Sequence, residues 1–313
     1  MTQNSTLVSA IVPTYNRAGI VGDAIDSILG QTYPHVEVIV VDDGSTDGTQ
    51  SVLNRYGDRI RVITQENAGA AAARNRGVEA ARGDLLAFLD SDDLWLPRKL
   101  ERQVTLLEKA GPSAVCCLCN IRMRWHDKDR SSFEIAQLNP PCEEGIWLNA
   151  DEVLATRFVL FNQGVVIRRE VMERLGGFDE SLRFMEDFDL PLRLSLEGRW
   201  TFIREPLTVW RETKDSLYGM SKVEELCQRE CTVQAFEKHL AALVRNDGRR
   251  ALQKRVRRQV RKSRRQLTAT RVGGMSFRGA GTLGRVLAKI EQFRSGVSRR
   301  SPWFPQMKVV AVD

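Results

Sequence analysis

The sequence predicts an α/β fold: a mostly parallel central sheet with helices on both faces, followed by a helical, strongly basic C-terminal extension. Three observations predict it. Short apolar runs suited to buried strands alternate with helical patterns four times in the first ninety residues, joined by short connections. Polar, acidic loops end successive strands and so converge on one rim, where open α/β sheets bind their ligands. Between Arg249 and Arg265 lie ten basic residues and no acidic one.

Leu7 to Pro13 reads as a first buried strand, left through Thr14-Tyr15-Asn16-Arg17, with a helix from about Ile20 to Leu29. Val36 to Val41 is a second strand, stopped by Asp42-Asp43-Gly44-Ser45-Thr46-Asp47-Gly48. The small and polar residues of that loop suit a tight turn, with Ser45 or Thr46 capping the next helix. Arg59 to Thr64 is a short third strand, and Gln65 to Gly69 a turn. Ala70 to Ala80 is a helix of small residues suited to close packing on a sheet; a role for its Arg74 at a diphosphate is the alternative use of the segment.

Leu85 to Leu89 is the fourth strand, and it runs into Asp90-Ser91-Asp92-Asp93. A cap for the helix near Pro97 would account for one of these carboxylates. Three within four positions repel one another and favour a shared cation. Oxygen ligands select hard ions such as Mg²⁺ or Mn²⁺, which are usually held together with substrate phosphates.

Pro97 to Lys109 is amphipathic and helical, with Pro97 in its first turn. Ala114 to Cys119 is a further buried strand. Residues 120–162 have weak periodicity and several aromatics, as variable substrate-facing loops do. Gly164 to Ile167 returns as a strand, and Arg169 to Leu175 is a short helix ended by Gly176-Gly177-Phe178-Asp179-Glu180. Next comes Glu186-Asp187-Phe188-Asp189-Leu190. Acidic residues favour a helix start, and Asp187, enclosed between Met185 and Phe188, equally suits a general base. Trp200 to Ile203 and Leu207 to Arg211 read as two closing strands.

Ser221 to Val244 is a long helix, and the basic run follows as a helix that is almost all cationic face, Val256 and Val260 being its only strongly apolar side chains after Lys254. Such a surface suits anionic headgroups, nucleic acid or an acidic polysaccharide. Arg271 to Gly281 is Gly-rich, and Leu283, Val286, Leu287, Ile290 and Phe293 then recur on one helical face. The domain reading is a catalytic unit over 1–215, with a nucleotide-binding half at about 1–95 and an acceptor-binding half at about 96–215, and an extension over 216–313.

Composition removes several classes. The formal charge of +7, from 47 Lys and Arg against 40 Asp and Glu, is concentrated after residue 244. The six cysteines show neither a disulfide framework nor zinc spacing, and the three histidines form no ligand pattern. No Gly-x-Gly-x-x-Gly follows the first strand. Residues 1–6 are polar and uncharged, so no signal peptide is expected, and no run of about 20 apolar residues offers a membrane span. The expected location is cytoplasmic, with peripheral attachment at the inner face of the membrane left open.

Six motifs in order carry a resemblance over residues 7 to about 211. They are Val12-Pro13-Thr14-Tyr15-Asn16-Arg17, Val41-Asp42-Asp43-Gly44-Ser45-Thr46-Asp47, Asn67-Ala68-Gly69 with Ala73-Arg74-Asn75, Phe88-Leu89-Asp90-Ser91-Asp92-Asp93, Gly177-Phe178-Asp179-Glu180, and Glu186-Asp187-Phe188-Asp189-Leu190. In these the chain resembles the family 2 glycosyltransferases, inverting enzymes with the GT-A nucleotide-sugar-binding fold. The resemblance implies a nucleoside-diphosphate sugar donor, UDP by family default, and Mg²⁺ or Mn²⁺. It gives Tyr15 and Asp43 to the donor base, with backbone contacts from Pro13 and Thr14. It makes Arg74 a donor-site residue, places Asp90 near the ribose and makes Asp92 the metal ligand, with Asp90 and Asp93 assisting. Asp187 is the implied base, Glu186 and Asp189 shape its surroundings, and Arg211 approaches the diphosphate. The acceptor would be a saccharide or lipid-linked glycan in surface polysaccharide or glycolipid assembly, with residues 249–296 toward an anionic membrane.

Two other readings compete. A sugar-nucleotide nucleotidyltransferase also uses carboxylates and Mg²⁺, but would open with a Gly-rich phosphate loop where this chain has Val12-Pro13-Thr14-Tyr15-Asn16. A non-catalytic protein would bind anionic lipid or nucleic acid through 249–265. Direct nucleic-acid recognition is disfavoured, because no zinc finger or RNA-binding aromatic motif is found.

Overall fold

The computed structural model describes residues 6–125, 128–212, 222–245, 249–273 and 305–312. In chain order the elements are β1 (Val8–Thr14), α1 (Val21–Leu29), β2 (Val36–Asp42), α2 (Thr49–Asn54), β3 (Arg61–Thr64), α3 (Ala70–Ala80), β4 (Leu85–Phe88), β5 (Leu94–Trp95) and α4 (Lys99–Lys109). There follow β6 (Ala114–Trp125), β7 (Lys128–Ser131), α5 (Ser132–Ile135), β8 (Glu144–Trp147), α6 (Ala150–Leu154), β9 (Val165–Arg168) and α7 (Arg169–Leu175). The last are α8 (Glu186–Leu194), β10 (Arg199–Arg211), α9 (Lys222–Arg245), α10 (Arg250–Gly273) and β11 (Val309–Val310).

The strands form one sheet in the order β11-β8-β10-β6-β9-β4-β1-β2-β3, with β5 on β10 and β7 on β6. The expectation of a mostly parallel sheet holds for β4-β1-β2-β3, where strand–helix alternation supplies the crossovers. Beyond β4 the sheet is mixed. β9 runs antiparallel to both β4 and β6, β10 is parallel to β6, and β8 is antiparallel to β10. Between β7 and β9 lie only short helices, α5 and α6 among them, and the strand β8, so no long helical crossover forces β9 to return parallel. The two closing strands expected at 200–203 and 207–211 are one strand, β10, with register shifts on either side of Pro206. Proline cannot donate to the ladder, and the chain accommodates it as a bulge rather than an end.

Alternate residues of β1 serve opposite faces of the sheet. Ile11 packs in the cluster with Phe88, Phe178 and Phe188, while Ala10 and Val12 pack with Ile25, Leu100 and Val104 of α1 and α4. The small residues of α3 bring it close to the sheet: a Cβ on Gly77 would lie 2.3 Å from Ile11 Cγ2.

Helices α9 and α10 form an antiparallel hairpin on α8. The Phe236 ring meets Phe188 edge to face at 5.1 Å. Cys231, Ala235 and Leu243 of α9 and Leu252, Val256 and Val260 of α10 join the same core as α8. The basic run therefore turns a narrow apolar stripe inward, leaving Arg257, Arg258, Arg261 and Arg265 exposed. The apolar face expected at 283–293 lies outside the described residues. All six cysteines are free. Among the described residues no helix is long and apolar enough to cross a membrane.

Candidate functional site

β1 and β2 end side by side, with Thr14 opposite Asp42. Pro13 and Thr14 are buried in that ladder, and Thr14 O accepts from Asp43 N at 2.9 Å. Tyr15 follows with 45% of its surface exposed. Asn16 turns the chain at φ 52°. Its N–H donates to Ser45 Oγ at 2.9 Å, and its Oδ1 accepts from Thr46 N at 2.8 Å. Ser45 and Thr46 therefore tie two loops together and cap no helix. α2 starts after Gly48, where Asp47 Oδ1 accepts from Thr49 N.

Asp43 is buried, and its carboxylate faces the loop that precedes α3. Its Oδ1 accepts from Gln65 Nε2 at 2.8 Å and Ala68 N at 2.9 Å, and its Oδ2 accepts from Gly69 N at 2.8 Å. A donor base would share this carboxylate with three protein donors. The second and third sequence motifs are thus in direct contact.

The next residues of α3 reach across the molecule. Arg74 is buried, donating through Nη2 to Asp90 Oδ1 at 2.6 Å and through Nη1 to Glu186 Oε1 at 3.1 Å. Its guanidinium lies 5.4 Å from the Phe178 ring centre. Burial opposes the charge, but Asp90 and then Glu186 outweigh it and raise the Arg74 pKa. Asn75 Nδ2 donates to Phe178 O at 2.9 Å, and its Oδ1 accepts from Phe178 N at 2.8 Å.

The three carboxylates after β4 part company. Asp90 and Asp92 are half-buried at the rim. Asp93 is buried, with Oδ1 accepting from Arg211 N at 2.9 Å and Oδ2 without a partner. Burial first, then the charges of Asp92 and Asp90, push its pKa well up. Arg211 donates to Asp92 O at 2.6 Å and to Asp23 at 2.7 Å, so this arginine holds the end of β10 to the acidic loop and to α1.

At α8 a similar division occurs. Met185, at φ 72°, turns the chain into the helix. Asp187 is half-buried in the first turn beside Glu186. Asp189 faces inward, accepting from Arg193 Nε at 2.7 Å, and Arg193 also donates to Leu175 O and Gly177 O at 2.9 Å. Burial raises the Asp189 pKa against the opposing Arg193 charge.

No group of three His, Cys, Asp or Glu side chains among the described residues is arranged to hold a metal ion. What the rim offers is two acidic side chains, Asp90 and Asp92. That donor set fits Mg²⁺ or Mn²⁺ bound through one or two carboxylates and completed by substrate phosphates and water, rather than an all-protein cage. Asp23, Asn75 and Arg193 were not evident from the sequence as parts of this framework. Asp23 meets Arg211 and Asn75 meets Phe178 far along the chain, Arg193 meets Asp189 one helical turn away, and of the three only Asn75 falls within one of the six motifs.

The sheet and its acidic rim define a GT-A-like α/β fold. Residues 9–144 match the family model described as glycosyl transferase family 2. It is 34% identical over 192 residues to an uncharacterized glycosyltransferase of Rickettsia typhi, covering 61% of this chain and 59% of that protein. It is 48% identical over 111 residues to the putative teichuronic acid biosynthesis glycosyltransferase TuaG of Bacillus subtilis, covering 34% and 44%. The chain thus spans less than two thirds of the length of these curated relatives. Among solved structures, S. aureus TarS 1–349 in complex with UDP-GlcNAc has a TM-score of 0.65 at 19% identity, covering 92% of this chain and 79% of that one. Mannosyltransferase PcManGT from Pyrobaculum calidifontis, in complex with GDP-Man and Mn²⁺, has a TM-score of 0.58 at 23% identity, covering 93% and 82%. Both likenesses concern the fold.

Proposed function

We propose that the chain is an inverting glycosyltransferase that moves a sugar from a nucleoside-diphosphate sugar, UDP-linked by preference, to an acceptor hydroxyl. The observation that carries this reading is the Asp90–Arg74–Glu186 bridge, which ties the acidic end of β4 to the helix turn that bears Asp187. A donor-side pair of carboxylates and a base candidate thus share one rim. The match of residues 9–144 to the family model and the nucleotide sugars bound by TarS and PcManGT support the donor class.

In this reading Tyr15 lies on the donor base, and Asp43 receives its ring N–H beside the bonds it already makes. Asp90 and Asp92 would hold Mg²⁺ or Mn²⁺, which when bound neutralises charge on the leaving diphosphate. Asp187 takes the proton from the acceptor hydroxyl as that oxygen attacks the anomeric carbon. The new C–O bond forms on the face opposite the bond that breaks to the diphosphate, so configuration inverts. No covalent enzyme nucleophile takes part. Arg74 keeps the donor carboxylate and the base-bearing turn in register.

The acceptor in this proposal is a saccharide or lipid-linked glycan of surface polysaccharide or glycolipid assembly, a reading the TuaG likeness favours. The exposed arginines of α10 would hold the enzyme at an anionic membrane, on its cytoplasmic side. Donor binding measured across a nucleotide-sugar panel, with and without Mn²⁺, tests the core of the reading. Metal-dependent binding of one donor, lost in Asp92→Ala, is expected; no donor binding by the folded protein refutes it. For the membrane, Arg257→Glu with Arg261→Glu should abolish sedimentation with phosphatidylglycerol vesicles, and unchanged sedimentation rejects that role.

A further inference from the structure

Helix α9 carries none of the six sequence motifs, yet it holds the segment that bears the base candidate at three points. Asp187 stands between Met185 and Phe188, and both of these side chains are buried. Gln228 Nε2 of α9 donates to Met185 Sδ at 3.5 Å. About two helical turns further on, the Phe236 ring meets Phe188 edge to face, 5.1 Å between centres. The third contact lies ahead of the turn. Lys238 Nζ donates to Asp179 Oδ2 and, at 3.4 Å, to Ser181 Oγ. Burial alone would raise the Asp179 pKa, but the hydrogen bonds from Lys238 and then Ser181 take it below its ordinary value.

The residue before Asp179 is fixed from elsewhere. Phe178 exchanges two backbone hydrogen bonds with the Asn75 side chain of α3. The chain from Phe178 to Phe188 is therefore strung between α3 and α9. Holding matters most at Met185, whose φ of 72° is left-handed. A residue with a long side chain keeps that conformation only where its surroundings over-determine it. Without α9 the backbone has an easier conformation to relax into, and the carboxylate two residues later moves with it. A general base must lie within hydrogen-bond reach of the proton it takes, and a misplacement of about 1 Å can cost about a hundredfold in rate. The donor-side residues Tyr15, Asp43, Asp90 and Asp92 follow β1, β2 and β4 instead.

We propose that α9 is the positioning element of the general base. Gln228, Phe236 and Lys238 act through Met185, Phe188 and Asp179, and together they fix where the Asp187 carboxylate stands. They are positioning residues, since each works through another side chain. The base role rests on the glycosyltransferase reading; the hold on the turn does not. The C-terminal extension thereby takes part in turnover, beside its place in the core.

The test pairs amide hydrogen exchange with turnover in the full chain. Lys238→Met removes an exposed side chain and leaves the core intact, with Lys238→Arg as its conservative control. Phe236→Leu keeps apolar volume and removes the ring contact. Exchange in peptides spanning 183–190 should quicken about threefold in Lys238→Met, the size of one part-exposed ion pair, and at least about tenfold in Phe236→Leu. Peptides from β1 and β4 should exchange as in the wild type. Hydrolysis of the donor chosen from the nucleotide-sugar panel, with water as acceptor, should fall in the same order. In Phe236→Leu it should fall at least about tenfold at saturation, while the donor dissociation constant stays within about twofold. Lys238→Arg should match the wild type in both readouts. Exchange that quickens evenly along the chain, or turnover lost in step with donor affinity, marks a merely structural helix and overturns the proposal. Unchanged exchange at 183–190 overturns it too. A wild type that hydrolyses no donor takes the base role down with the glycosyltransferase reading, and exchange alone then decides whether α9 holds the turn.

Discussion

Replacing Arg74 by methionine removes the charge from the bridge while filling much of its volume. Two carboxylates then lose their partner: Asp90, with 33% of its side chain exposed, and Glu186, with 18%. Breaking a fully buried pair typically costs about 3–5 kcal/mol. Here both acids can recover water in part, and the stacking of Arg74 on Phe178 is replaced by ordinary apolar contact, so a loss of about 2–3 kcal/mol is expected. Arg74→Lys keeps the charge but has no fork to bond two acids at once, and should fall between the variant and wild type. Urea denaturation measures both, read as a fall in the midpoint at constant slope. A double-mutant cycle with Glu186→Gln should give a coupling of about 1 kcal/mol or more. Arg74→Met within about 0.5 kcal/mol of wild type, or a coupling indistinguishable from zero, would refute the claim that this arginine joins the two acidic turns.

Two further outcomes follow from packing and burial. His239 on α9 is fully buried without a hydrogen-bond partner on either ring nitrogen, and burial, helped by Arg249, lowers its pKa to about 4. The unfolded chain takes up a proton below about pH 6.5 that the folded protein refuses, so stability is lost as pH falls from there toward 4. The loss should be about 2 kcal/mol at pH 5; urea titrations at pH 7.5 and 5 should show it, and His239→Leu should flatten the dependence. Gly77→Ala improves helix propensity but drives a Cβ to 2.3 Å from Ile11 Cγ2. Overpacking of this kind should give a net loss of about 1–3 kcal/mol, and a thermal melt at or above wild type would show that α3 can move away from the sheet.

The first half of the fold was legible because its signals are local. Apolar runs, small-residue turns and short connections mark β1 to β4 within a few residues of where they lie. Strand direction beyond β4 was not legible, since nothing in Val165–Arg168 says from which end of the sheet the chain enters. The motifs were legible as motifs, but their purpose was not. Arg74 meets Glu186 112 positions away, and Asn75 meets Phe178 103 positions away. The basic run hid its inner face for another reason: Leu252, Val256, Val260 and Ser263 make too thin a stripe to stand out among ten cations, yet three of them enter the main core.

What sequence could least resolve is which acid of each cluster does chemistry and which holds the frame. Adjacent positions carry the same side chain, and only burial separates them. Asp93 sits under the rim, with one oxygen on Arg211 N and the other without a partner, whereas Asp90 and Asp92 stay at the surface. An asparagine at 93 keeps the acceptor for Arg211 N and removes no group from the rim. Asp93→Asn should therefore stay within about 1 kcal/mol of wild-type stability and bind donor with the same metal dependence, while Asp92→Asn should lose that dependence. Paired donor titrations with and without Mn²⁺ read both variants. If Asp93→Asn loses metal-dependent binding as fully as Asp92→Asn does, the buried carboxyl turns outward when the ion arrives, and the division between frame and chemistry drawn from its burial is wrong.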